Sequence, residues 1–254
     1  MRSLSTIAVI GATGTAGSRV VARLKARGVA VVEISRAHGV DLISGEGLSQ
    51  ALEGVDVVID VANPMPADRW SDISQTMATA MRNVVGACAA QEIQRLVVST
   101  IAGIEDPAFD GFPYYAAKRV AKQMVLESPV PATIVKSTQW YEFATNPVAV
   151  TYNDGDDVLV EAALGQTHMP RTITGPHAMR LPDLTTKLLA RQGDGRRVRA
   201  VQPKLAGLAA GALLAPDGAM VIGPDIDTWL QNLAPTGADA SPAADESEQP
   251  VGDG

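Results

Sequence analysis

The sequence predicts an α/β fold, a doubly wound parallel sheet closed by a small C-terminal helical cap. Three observations carry this. Short apolar runs alternate with helix-period stretches from Ile7 to Glu127, the pattern of strands joined by crossover helices. The runs are almost continuously apolar, as in Val57-Val58-Ile59-Asp60-Val61, which suits strands covered on both faces. The first strand also enters a glycine-rich turn that opens directly into a helix.

Taken in order, strands are expected at Ile7–Ile10, Val29–Ile34, Val57–Val61, Leu96–Ser99 and Thr133–Lys136, with Asp41-Leu42 as a short third strand and Thr172-Ile173 as a late one. Helices are expected at Ser18–Arg27, Gly47–Leu52, Ile73–Ala90 and Tyr114–Glu127. Beyond Gly175 the organisation changes. Leu181-Pro182-Asp183 places proline in a first helical turn, and Gly193 ends that helix after Arg191. Leu205–Leu214 is small and apolar enough to pack as a helix, and Asp227–Leu233 forms a last amphipathic turn anchored by Trp229. Residues 1–234 are thus expected to form one domain with its cap, and 235–254 a disordered acidic tail.

The glycine turn names a ligand class. Gly11-Ala12-Thr13-Gly14-Thr15-Ala16-Gly17 lies between the strand Ile7–Ile10 and the helix from Ser18. Its glycines let the backbone turn sharply and approach a pyrophosphate, and the helix N-terminus offers free N–H groups and partial positive charge. The spacing is G-x-x-G-x-x-G, so the glycines alone also fit a plain structural turn. The flanking strand and helix favour a dinucleotide.

Composition narrows the rest. With 254 residues, 46% of them hydrophobic, the chain can bury one sizeable core. No apolar run reaches the ~18 residues of a membrane span, and the lone Cys88 allows no intrachain disulfide, so a cytoplasmic, membrane-free protein is expected. The net charge of −7 is unevenly placed: eight carboxylates and no Lys or Arg follow Lys204. The body before Lys204 is therefore nearly neutral, with no broad basic surface for nucleic acid. The cluster Arg196-Arg197-Val198-Arg199 reads as a solvated connection. His38, His168 and His177 are scattered, with no helical pairing and no cysteine partners, so no metal site is expected.

The second constellation is Tyr114-Tyr115-Ala116-Ala117-Lys118. Residues four apart share a helix face, so Tyr114 and Lys118 point into one site. An adjacent ammonium favours the phenolate and would bring the phenol toward neutral pH. Leu96-Val97-Val98 ends in Ser99-Thr100, two hydroxyls at a strand's carboxyl end, where open parallel sheets bind ligands. Asp56 and Asp60, flanking a buried strand, read as turn and edge hydrogen-bonding groups. Trp140, Tyr141 and Phe143 follow the strand at Thr133–Lys136 and suit pocket lining and core packing equally.

On these residues the chain resembles the short-chain dehydrogenase/reductase superfamily, and within it the atypical, NmrA-like branch. Gly11–Gly17, Ser35-Arg36, Asp41-Leu42, Gly54–Ile59, Leu96–Thr100, Tyr114–Lys118 and Thr133–Thr138 carry the likeness, which is good from Ile7 to Phe143 and looser to Leu230. The resemblance implies a Rossmann-like fold, with Tyr114 as catalytic acid/base, Lys118 as its electrostatic partner and Thr100 at the catalytic serine position. It also implies a cofactor held by Gly11, Thr13, Gly14, Thr15, Ala16, Gly17, Ser35, Arg36, Asp41, Leu42, Ala62, Asn63, Ser99 and Lys118.

Two departures stand out. Met77 falls where the superfamily carries a helical asparagine, with Asn83 reading as a packing position, and Asn146–Val158 is short for a substrate segment. Ser35-Arg36 after the second strand, in place of an acid, favours NADP(H), with NAD(H) possible. Glu33 is turned away by strand alternation if Ile34 faces inward. The expected function is an NADP(H)-dependent oxidoreductase acting on a small carbonyl, alcohol or quinone of unknown identity. The alternative is a non-catalytic NADP(H)-binding sensor or regulator, and a third reading is an isomerase or epimerase using bound cofactor.

Pro235–Gly254 holds five acids, no bases and one large aliphatic, Val251. It cannot offset an ordering entropy of about 1–2 kcal/mol per residue. Its removal is expected to leave melting temperature and cofactor affinity unchanged. A truncated protein melting several degrees lower would show that the segment docks on the body.

Overall fold

The computed structural model describes residues 5–233, except 69, 139, 146–149, 153–156, 162–171, 204–205, 210, 213 and 216. In chain order the elements are β1 (Thr6–Ile10), α1 (Thr15–Lys25), β2 (Ala30–Ile34), α2 (Leu48–Ala51), β3 (Val57–Asp60), α3 (Ile73–Ala90), β4 (Arg95–Ile101), α4 (Pro113–Leu126) and β5 (Ala132–Ser137). They continue with β6 (Val150–Tyr152), β7 (Asp157–Glu161), β8 (Thr172–Thr174), α5 (Leu181–Gln192), β9 (Arg197–Val201), α6 (Ala206–Ala209), β10 (Met220–Val221) and α7 (Ile226–Gln231).

The main sheet has seven strands in the order β10-β8-β5-β4-β3-β1-β2, and every pairing in it is parallel. Alternation along β1 sends Val9 to one face, where it packs with Val21 of α1, and Ala8 and Ile10 to the other, where α2, α3 and α4 lie. Both faces are covered, which is why the strands read as continuous apolar runs. The chain steps from β1 outward to β2 and then crosses back to β3, so β1 and β3 flank the point where strand order reverses. Ligands bind beyond the carboxyl ends of strands at such a point.

The helix at Ile73–Ala90 matches its expected bounds, and Asp72 caps it through the Ser74 and Gln75 N–H groups. Gly193 ends α5 at a φ of 73°, in the left-handed conformation that glycine enters without strain. Leu181, Leu184 and Leu188 of α5 pack with Ile226 and Leu230 of α7 and with Ala144, forming the core of the C-terminal part, and Trp229 leans on Tyr141 at 5.1 Å between ring centroids. Tyr141 therefore belongs to core packing.

Three expectations are corrected. Asp41-Leu42 is a turn, not a strand: Asp41 Oδ1 accepts from the Ile43 and Ser44 N–H groups at 2.7 and 3.0 Å, bonds that a strand pairing would have to displace. The sheet consequently ends at β2. The basic cluster is not a connection, since Arg197–Val201 forms β9, pairing in parallel with β7, itself antiparallel to β6. The apolar stretch 205–214 is helical only over Ala206–Ala209 among the described residues. Of Asn146–Val158 the described part, 150–152 and 157–158, falls in that second sheet. Pro235–Gly254 and His168 lie outside the described residues.

Candidate cofactor and active site

The turn after β1 is built by backbone contact. Gly11 takes a φ of 81°, and its N–H and that of Ala12 both donate to the Ile34 carbonyl at the end of β2, at 2.9 and 3.1 Å. A Cβ on Gly11 would stand 3.0 Å from the backbone of Ala62, the residue reached just after β3. Gly17 is tighter still: a Cβ there would sit 2.0 Å from the Gly11 carbonyl oxygen. Helix α1 thus lies directly on the turn. Its N-cap, Gly14, carries no side chain to satisfy the first N–H groups. An uncapped helix end, with the exposed Thr13, Gly14 and Thr15 around it, fits a pyrophosphate.

At the end of β2, Ser35 Oγ and His38 Nδ1 are 2.8 Å apart, and Arg36 is exposed. Glu33 pairs with Lys25 of α1 at 2.6 Å. The Asp41–Leu42 turn is tied to α3 by Asn83, whose Nδ2 donates to the Leu42 and Ile43 carbonyls at 2.9 and 3.0 Å. Asn83 therefore fixes the loop rather than filling a packing position.

Beyond β3 and β4 lies a cavity of about 30 Å³, room enough for a water. Its polar lining comes from Asp60, Ser99, Thr100, Lys118 and Lys122, and Met77 closes one side. Thr100 Oγ1 is buried there without a hydrogen-bond partner. Leaving a hydroxyl so costs roughly 1–3 kcal/mol, so a water or a ligand oxygen in the cavity is what would complete its hydrogen bonding. Leu42 and Ala62 border the same cavity, so residues from both halves of the expected cofactor set meet across it.

Tyr114 does not line this cavity. Its hydroxyl donates to Asn63 Oδ1 at 3.2 Å, and Lys118 Nζ stands 5.7 Å from its ring centroid. This changes the electrostatic reading. Burial raises the Tyr114 pKa above the ordinary phenol value, with the Asn63 bond opposing it. Burial lowers the Lys118 pKa, and Asp60 opposes that by favouring the charged amine.

Asp60 was the residue that sequence reasoning undervalued. The turn bond expected of it exists, Oδ1 accepting from the Ala62 N–H at 2.8 Å, but the side chain is also buried at 5% exposure in the cavity wall. Burial pushes its pKa up to about 6, against the Ala62 bond and the charge of Lys118. A charged residue closing an apolar strand of four was the available signal. Asp56, by contrast, accepts from Thr6 N–H and Gln94 Nε2 at 2.8 and 2.9 Å and is structural. Among the described residues no group of three or more His, Cys, Asp or Glu is placed to hold a metal, and no helix is long and apolar enough to cross a membrane.

The Asp60 shift has a stability consequence. Its folded pKa lies above the unfolded value, so its contribution is full below pH ~4 and is lost as pH rises through about 6. Asp60→Asn keeps an acceptor for Ala62 and removes the ionisation. Relative to wild type, this variant should gain on the order of 3 kcal/mol between pH 4 and 7. Urea denaturation across that range measures it. A difference independent of pH would contradict the assignment.

Comparison with known proteins places these features. A family model described as NAD(P)H-binding matches residues 11–172. A 2-alkyl-3-oxoalkanoate reductase from Shewanella oneidensis is 30% identical over 149 residues, 47% of this chain and 38% of that protein. The photosystem II assembly factor Ycf39 from Cyanophora paradoxa is 26% identical over 168 residues, 61% of this chain and 51% of the relative. The match thus spans about half or less of these curated relatives' lengths. A short-chain dehydrogenase/reductase superfamily protein from Agrobacterium tumefaciens, solved with bound NAD, superposes with a TM-score of 0.62 at 16% identity, covering 89% of this chain and 95% of that one. The chain belongs to the NAD(P)H-binding family, on the fold of the short-chain dehydrogenase/reductase superfamily.

Proposed function

We propose that the chain is an NADP(H)-dependent oxidoreductase that interconverts a small carbonyl compound, or a quinone, with its reduced form. The observation that carries this reading is the buried, unpartnered hydroxyl of Thr100 beside Lys118 at the carboxyl ends of β3 and β4. A hydroxyl left without a partner in this largely apolar cavity suits a ligand oxygen that supplies the missing bond. The Shewanella relative, a 2-alkyl-3-oxoalkanoate reductase, supports a carbonyl as that ligand.

In this reading Gly11–Gly17 and the open end of α1 hold the pyrophosphate, while Ala62 and Asn63 line its path from the turn to the cavity. A bound nicotinamide supplies hydride exchange with carbon. Thr100 Oγ1 donates to the substrate oxygen and fixes its direction. Tyr114, kept as a neutral phenol by burial, is the proton donor to that oxygen during reduction, released from Asn63 when the substrate oxygen takes over as acceptor. Lys118, cationic, stabilises the negative charge left on Tyr114. The likeness to the Ycf39 assembly factor agrees with the NmrA-like branch, whose sensor members are the outcome to test against.

Loss of the phenolic proton should cost Tyr114→Phe about 10²–10⁴-fold in turnover with NADPH and aldehyde, ketone or quinone substrates, while cofactor binding persists. No reduction above background by the wild type, or full turnover by Tyr114→Phe, would replace this reading with the sensor.

NADP(H) preference rests on Ser35 and the exposed Arg36, with which no carboxylate pairs among the described residues. Arg36→Ala should weaken NADPH binding on the order of tenfold in calorimetric titration and leave NADH untouched, since a guanidinium recognises the additional phosphate. Tighter binding of NADH by the wild type would overturn the preference.

A further inference from the structure

We propose that Asp60 is a positioning residue of this site: its carboxylate is the counter-ion that keeps Lys118 cationic and the anchor that holds the Ala62-Asn63 turn against both Gly11 and Tyr114. Four observations support it. Asp60 ends β3 at the point where strand order reverses, beside the strand that leads into the dinucleotide turn. Its Oδ1 holds the Ala62 N–H at 2.8 Å, and the Ala62 backbone is the surface that excludes a Cβ from Gly11. The next residue, Asn63, supplies the acceptor for the Tyr114 hydroxyl. Asp60 and Lys118 also face the same cavity, and Asp60 is the one carboxylate lining it among the described residues.

The surroundings leave Lys118 dependent on this group. From α4, Lys122 also reaches the cavity wall, but its ammonium is paired with Glu105, which Lys136 of β5 shares at 2.9 Å. From α3 the titratable neighbour is Cys88, a thiol pushed up to about 12 by burial and by Asp60, and hence neutral. From β4 the groups are the uncharged Ser99 and Thr100, and Tyr114 of α4 is a neutral phenol. A lysine moved into a part-buried site holds its proton less tightly unless an anion compensates. Asp60 is the anion in place.

The inference rests on Lys118 serving the proposed chemistry, but its test needs no substrate. In apoprotein labelled with ¹³C-lysine, the Lys118 Cε resonance, assigned with Lys118→Arg, is followed against pH. In Asp60→Asn the Lys118 midpoint should fall by about one pH unit, a tenfold change in its proton affinity, while those of Lys187 and Lys136 stay in place. Wild-type Lys118 should also show a second inflection near pH 6, where Asp60 titrates. That inflection decides the question even if the variant does not fold. Asp60→Ala, which removes the Ala62 acceptor as well, should weaken NADPH binding more than Asp60→Asn does. An unmoved Lys118 midpoint, or no inflection near pH 6 in the wild type, overturns the proposal. An inactive protein that still gives both shifts would sink only the oxidoreductase reading.

Discussion

Helix α1 meets the end of β1 through bare backbone. The position of a Gly17 Cβ, 2.0 Å from the Gly11 carbonyl oxygen, leaves no room for any side chain, so helix and turn touch main chain to main chain. That contact sets where the N-terminus of α1 points. Gly11 in turn lies against Ala62, and Ala62 is held by Asp60, so the placement of the helix passes through two strands to the cavity under Lys118. The site thus depends on a chain of backbone approaches, each of which a single methyl group would open.

Burial then sets the chemistry. Water is largely excluded around Asp60, Thr100, Tyr114 and Lys118, and every resolved shift among them follows from that exclusion: the acids Asp60 and Tyr114 rise and the base Lys118 falls. Elsewhere the same rule is reversed by partners. Glu105 is held below the usual carboxylate range by Lys122 and Lys136 despite its burial. The cavity keeps its polar groups incompletely paired, whereas the ion cluster beside it is paired in full. Among the described residues Thr100 Oγ1 is the buried side-chain group without a partner, and a ligand with a polar oxygen would satisfy it.

Much of this was legible in the sequence because periodicity and turn chemistry agreed. Ile73–Ala90, Leu181–Gln192 and the central strands have strong apolar repeats and clear stops, and the glycine turn sits where strand and helix require it. What sequence reasoning missed were features decided by partners distant in the chain. Asp41 is followed by residues whose N–H groups its own side chain can take, so a local turn outcompeted a third strand. The basic run at 196–199 enters a strand because β7 offers it a parallel edge, which no local pattern announces. Asp60 looked like an ordinary turn residue, and only the tertiary fold, which brings α4 to the same cavity, sets a lysine near it. Likewise, the i, i+4 spacing correctly put Tyr114 and Lys118 on one face but could not say that burial would outweigh the amine and raise the phenol's pKa.

The central claim is that one dinucleotide spans the glycine turn and the Thr100 cavity. A crystal structure with NADPH tests it most directly. The account predicts the pyrophosphate on the N–H groups at the start of α1, the additional phosphate beside Arg36, and the nicotinamide facing Thr100 with Tyr114 across from it. A pyrophosphate bound away from Gly14–Gly17, or a nicotinamide turned away from Thr100 and Lys118, would contradict it.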